Sequence, residues 1–171
     1  MASARAVLPL LVLSALVTGL AGCFKSETPL IDAAQAKFPF QSIVLKADDE
    51  ETEIIRREGA LYRRIEDDQP RGEPLLIYEI AANLYLIQET GASGDATYVF
   101  AKRDADKLIV QSDCGGIDTE TLKRLHIDYA ETSQSLFFEC NAKDLGALIA
   151  LGQSANIWSG TAQTFDIVSI E

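Results

Sequence analysis

Few side chains in this sequence could do chemistry, and they are unevenly placed. Cys114 lies at the end of an expected strand, just before Gly115-Gly116, and Cys140 closes the run Ser-Leu-Phe-Phe-Glu-Cys. Such a pair could be a disulfide, two inert buried thiols or a redox couple. Redox couples favour a Cys-x-x-Cys spacing, which is absent. In an oxidising compartment a disulfide is the economical reading, and closing a loop of this length would stabilise the fold by roughly 3–4 kcal/mol. That is a large part of the about 5–15 kcal/mol that holds a typical domain together. The sole histidine, His126, falls at the end of an expected helix, where a cation suits the helix dipole. Asp128 is close to it in sequence, but no Gly-x-Ser-x-Gly elbow presents a serine to complete a triad. The sequence has no zinc spacing, phosphate-cradling loop or dinucleotide fingerprint.

The acidic residues cluster twice, as Asp48-Asp49-Glu50-Glu51 with Glu53 and as Glu66-Asp67-Asp68. Neither cluster has the alternating ligands and glycine of a calcium loop, and adjacent carboxylates on a strand point to opposite faces. Both read as solvated loops. Glycoside cleavage needs two carboxyls about 5–10 Å apart across a groove, and nothing singles out one such pair among 26 acids. Tyr62, Tyr78, Tyr85, Tyr98 and Phe100 lie inside expected strands. They read as core, with an exposed aromatic binding stripe as the alternative. Trp158, flanked by Gly and Ser, is either a lid on the core or an anchor for a partner.

The third cysteine is Cys23. Ahead of it come one positive charge (Arg5), an apolar run from Ala6 to Val17, and the small residues Thr18, Gly19, Ala21 and Gly22. This is the layout of a secretory signal, too short and too interrupted by Pro9 and Gly19 to serve well as a spanning helix. Leu20-Ala21-Gly22-Cys23 resembles the lipobox of bacterial lipoproteins. The resemblance covers only the export segment. It implies that the thiol becomes a thioether to diacylglycerol and that cleavage makes Cys23 the first residue. It also implies two or three acyl chains, enough for stable anchoring where one is marginal. Phe24 stands where Asp favours inner-membrane retention in the enterobacterial sorting rule, so the expected address is the outer membrane, facing the periplasm.

These residues need a scaffold. Residues 1–22 are read as a removed signal, 23–38 as a lipidated N-terminus and tether that begins to dock near Leu30 and Ile31, and 39–171 as one globular domain. After Pro39 come short β-runs: 41–46, 53–57, 60–65, 75–81, 84–90, 97–102 and 108–111, with a polar loop over 67–74 and a bend at Ala82-Asn83. Asp118 can cap a helix through about Leu125. Residues 135–140 read as a strand. Asn141 can cap a second helix over 142–151, which Gly152 ends. Residues 164–170 read as a closing strand. The expected class is α+β, an antiparallel, strongly twisted or barrel-like meander with two short helices in the C-terminal third.

The formal net charge of −11 gives no route to nucleic acid by counterion release and repels anionic headgroups. Membrane attachment then falls to the lipid on Cys23. The domain's layout resembles small acidic β-rich lipoproteins of proteobacterial envelopes. No cofactor is expected. The functional expectation is a non-catalytic binding or assembly module at the periplasmic face of a membrane, with a possible protein partner. The alternatives are an envelope hydrolase using carboxylates and an inhibitor of a basic hydrolase such as lysozyme.

Overall fold

The β-runs read from the sequence become strands whose register is set by tight turns. The structure, a computed structural model, describes residues 24–48, 51–131, 138–159 and 162–171. In chain order the strands are β1 (Phe24–Ser26), β2 (Ser42–Lys46), β3 (Thr52–Glu58), β4 (Leu61–Glu66), β5 (Gln69–Ala81), β6 (Leu84–Thr90), β7 (Ala96–Asp104), β8 (Lys107–Gln111), β9 (Asp128–Glu131), β10 (Phe138–Asn141) and β11 (Gln163–Ile170). Helix α1 (Thr119–Arg124) precedes β9, and α2 (Leu145–Gly152) precedes a 3-10 turn at Ala155–Ser159.

Strands β2 to β8 form an antiparallel meander. β11 then pairs with both β8 and β2 and closes an eight-stranded antiparallel barrel. Closure removes the exposed edges that an open sheet would offer to other chains. The bend at Ala82-Asn83 falls where the sequence puts it, with Asn83 at φ 61. The polar stretch 67–74 differs from the expected loop. Asp67 and Asp68 both take positive φ, the signature of a two-residue hairpin turn. The chain therefore re-enters the sheet at Gln69, with Pro70 opposite Ile65.

Eight strands enclose a space just wide enough for side chains to fill. Here Ile43, Leu45, Ile55, Tyr62, Leu75, Ile77 and Phe165 fill it, all buried. A second core lies outside the barrel wall. Leu86 of β6, with Tyr98 and Phe100 of β7, is covered by β1, Ile31, α1, α2 and the 3-10 turn. β7 is thus apolar on both faces, which the near-continuous run Ala96–Ala101 already hints at.

The C-terminal third departs from expectation in detail. Asp118 caps α1 as read, accepting from the N–H groups of Glu120 and Thr121. Asn141 does not cap the second helix. It ends β10, and Asp144 caps α2 by accepting from Ala147 N–H at 2.8 Å. An Asn and an Asp three residues apart are equally good caps on paper, and the pairing of Asn141 with Asp128 and Lys25 decides between them. The strand read at 135–140 is described only from Phe138 onward, since 135–137 lie outside the described residues. β9 and the 3-10 turn were not foreseen.

Candidate functional site: the seat of the N-terminal segment

Cys23 lies outside the described residues, but the chain immediately after it is described. The tether expected over 24–38 is not found at its start. Phe24–Ser26 are strand β1, inserted antiparallel to β7 and parallel to β10. Phe24 stands opposite Tyr98 on one side and Cys140 on the other. It is fully buried and meets Phe100 edge-on, with ring centroids 5.3 Å apart. The Ala142 N–H donates to the Lys25 carbonyl at 2.8 Å. The Lys25 side chain reaches the Glu139 carboxylate, 2.6 Å away. Ile31 docks as the sequence suggests.

The segment that follows β1 is held by buried polar groups. The Leu30 N–H donates to the Tyr98 hydroxyl oxygen at 2.9 Å. The Ser26 hydroxyl donates to the Thr28 carbonyl, so the Tyr98 O–H must be the donor in its 2.8 Å bond to Ser26 Oγ. Gln88 Oε1 accepts from Leu30 N–H and Ile31 N–H, and Gln88 Nε2 donates to the Ile31 carbonyl. Burial raises the Tyr98 phenol above its ordinary value, and the bonds to Ser26 and Leu30 pull it part of the way back. A buried glutamine with all its bonding capacity used rigidifies what it holds. Sequence reasoning missed Gln88 and Ser26. The available signal was one polar residue on the otherwise apolar face of Leu84, Leu86 and Gln88.

Cys114 and Cys140 are joined by a disulfide, with Cα atoms 6.4 Å apart and both residues fully buried. Because Cys140 is the lateral neighbour of Phe24, the bridge fixes the strand that flanks β1. It also ties that strand to the chain leaving β8.

Three other places could host chemistry. Within one end of the barrel, Arg64 Nε lies 3.1 Å from Glu53 and Arg64 Nη2 lies 2.8 Å from Glu89, all three side chains only 20–25% exposed. Burial raises the Glu53 carboxyl above the usual carboxylate range, against the pull of Arg64. One member of the Asp48–Glu53 cluster is therefore an inward-facing ion-pair partner, while Glu66-Asp67-Asp68 forms a hairpin corner. The opposite end of the barrel holds a cavity of about 50 Å³ lined by Phe40, Tyr85 and Arg103 among others, room for one or two waters. Between α1 and β9 an open cleft of about 650 Å³ is lined by Lys123, His126, Asp128, Tyr129 and Lys143. His126 sits at φ 55 just past the end of α1. Lys143 is paired with Asp128 at 2.7 Å.

Tyr62, Tyr98 and Phe100 are fully buried core residues, and Tyr78 and Tyr85 are half-buried. Trp158 packs on the outer core and donates from Nε1 to the Gly152 carbonyl at 3.3 Å, the lid of the two readings. Among the described residues no group of three His, Cys, Asp or Glu is placed to hold a metal ion, and no helix is long and apolar enough to cross a membrane. No known protein family, curated protein or solved structure matches this chain.

Proposed function

We propose that this protein is a lipid-anchored envelope protein, attached through Cys23 and facing the periplasm from the outer membrane, where it acts as a binding or assembly module and not as a catalyst. The observation that carries the reading is the lipobox-like Leu20-Ala21-Gly22-Cys23 at the end of a secretory signal. The Cys114–Cys140 disulfide supports it, because such bonds persist in oxidising compartments. The side chains packed into the barrel favour a structural interior over a substrate chamber. The acids at its mouth, Glu53 and Glu89, are both engaged by Arg64 and are not posed as a free acid and base.

The test is Cys23→Ser expressed in the host envelope. The expected result is loss of the acyl mass on the N-terminal peptide, together with soluble or unprocessed protein. A mature, membrane-bound Cys23→Ser protein would refute the anchor.

A further inference from the structure

The edge of β7 is shared by two strands. Its residues Ala96–Tyr98 pair with β1, and Phe100–Asp104 pair with β8. Only Val99 lies between the two sets of partners. A strand entering from the N-terminal side of Phe24 therefore has room for one further residue before Gln111, the partner of Phe100, occupies the edge. At that junction Gln111 is buried, and among the described residues its Oε1 has no hydrogen-bond partner. Gln111 and Phe24 occupy rows two apart along the same edge of β7, about 7 Å at strand spacing.

We infer that the chain is built into the sheet from the residue next to the proposed lipid anchor, so that the domain is held close against a lipid bilayer with no tether between anchor and fold. The inference rests on the lipidation of Cys23 proposed above. A flexible tether over 24–38 would let the domain wander roughly 20 Å from its anchor. With Phe24 fixed between β7 and β10, the slack is one residue, about 3.5 Å of extended chain. The clamp has three independent parts. Backbone bonds hold β1 on both sides. Gln88 and Tyr98 hold Leu30 and Ile31. The disulfide holds β10 against the chain leaving β8. The acidic domain gains nothing from anionic headgroups, so the short linkage and not charge attraction sets its position. A partner of this protein must then come to the bilayer surface to meet it.

The experiment uses the lipidated full-length mature protein in vesicles of phosphatidylethanolamine and phosphatidylglycerol. Three quantities are read: the mass of the N-terminal peptide, hydrogen exchange over residues 24–31, and energy transfer from Trp158, the only tryptophan, to a dansyl-labelled headgroup. Wild type is compared with a variant carrying ten Gly/Ser residues between Cys23 and Phe24. The expected result is exchange over 24–31 at least 100-fold slower than in the free peptide, and transfer that drops when the insert is present. Free-peptide exchange rates would overturn the seated strand. Transfer unchanged by the insert would overturn the fixed approach to the bilayer. An N-terminal peptide without acyl mass would overturn the anchoring reading and the bilayer contact with it, whereas the exchange data would still decide whether β1 is seated.

Discussion

Replacing Phe24 with Ala asks directly whether the residue next to the anchor belongs to the fold. Phe24 is fully buried, meets Phe100 edge-on at 5.3 Å and lies between Tyr98 and Cys140. Truncating a phenylalanine in such a place removes its transfer free energy and leaves a cavity, together about 3–5 kcal/mol. The site is bounded by a disulfide and two paired strands, so it can collapse little, and the upper half of that range is expected. For a chain of 171 residues each kcal/mol moves Tm by roughly 2–4 °C, giving a drop of at least about 8 °C. The assay is urea and thermal unfolding in the soluble Cys23→Ser background, so that lipid plays no part. Lys25→Ala is the control. Its side chain is 35% exposed, and its pair with Glu139 is screened by solvent, so its loss should cost under about 1 kcal/mol. If Phe24→Ala lies within about 0.5 kcal/mol of its parent, the span of an ordinary surface substitution, then β1 is not an integral strand and the clamp argument fails.

Three further outcomes follow from the same geometry. Replacing both Cys114 and Cys140 with Ser should cost about 3.5 kcal/mol for the loop they close. Reductant should then lower the urea midpoint of the parent but leave the double variant unmoved. Gln88→Leu strands the Ile31 N–H and the Ile31 carbonyl, while the Leu30 N–H keeps its bond to the Tyr98 hydroxyl, at about 1–3 kcal/mol per group left buried and unpaired. Exchange should quicken at residues 30 and 31 before it does in the barrel. Arg64→Met should be close to neutral at pH 4 and cost about 1–2 kcal/mol at pH 7, the figure for a broken buried pair discounted for partial exposure. The sign comes from Glu53, whose carboxyl burial already raises above its ordinary 4.5. Without Arg64 it rises further. The folded state then binds more protons than the unfolded one above that value, and stability falls as pH rises. A variant whose Tm does not change with pH relative to the parent would contradict this.

The barrel was legible in the sequence because its strands alternate and its turns are chemically marked. Ile43 and Leu45, then Ile77 with its neighbours, keep a period of two, and Ala82-Asn83 marks its bend. Closure was not legible, since whether β11 meets β2 is a contact between the two ends of the domain. β1 was illegible for a sharper reason. Three residues, Phe-Lys-Ser, carry no period, and their strand character comes wholly from β7 and β10. The same holds for Gln88, which looks like an ordinary polar residue until Leu30 and Ile31 reach it. The disulfide was foreseen from compartment logic alone, but its consequence was not. Cys140 matters here because it is the neighbour of Phe24.

These elements bear on one another through the order in which they can form. β1 needs β7 and β10 on either side, and β10 is tied by the disulfide to the chain beyond β8. The parallel pairing of β1 with β10 joins residues more than a hundred positions apart, a non-local contact of the kind that forms late. The residue beside the proposed cleavage bond therefore remains accessible until the rest of the domain is in place. Once β1 is seated, the chain that follows the proposed Gly22–Cys23 bond is buried at Phe24 and paired into the sheet from there, which denies it to a protease that needs extended, accessible chain on both sides. On the lipoprotein reading proposed above, processing before Cys23 would then precede completion of the fold. Precursor refolded with its disulfide formed should resist cleavage by signal peptidase, while the same precursor held in urea or carrying Phe24→Ala should be cut. Equal cleavage of the folded precursor and the Phe24→Ala precursor under native conditions would show that β1 leaves the cleavage bond free and would break this ordering.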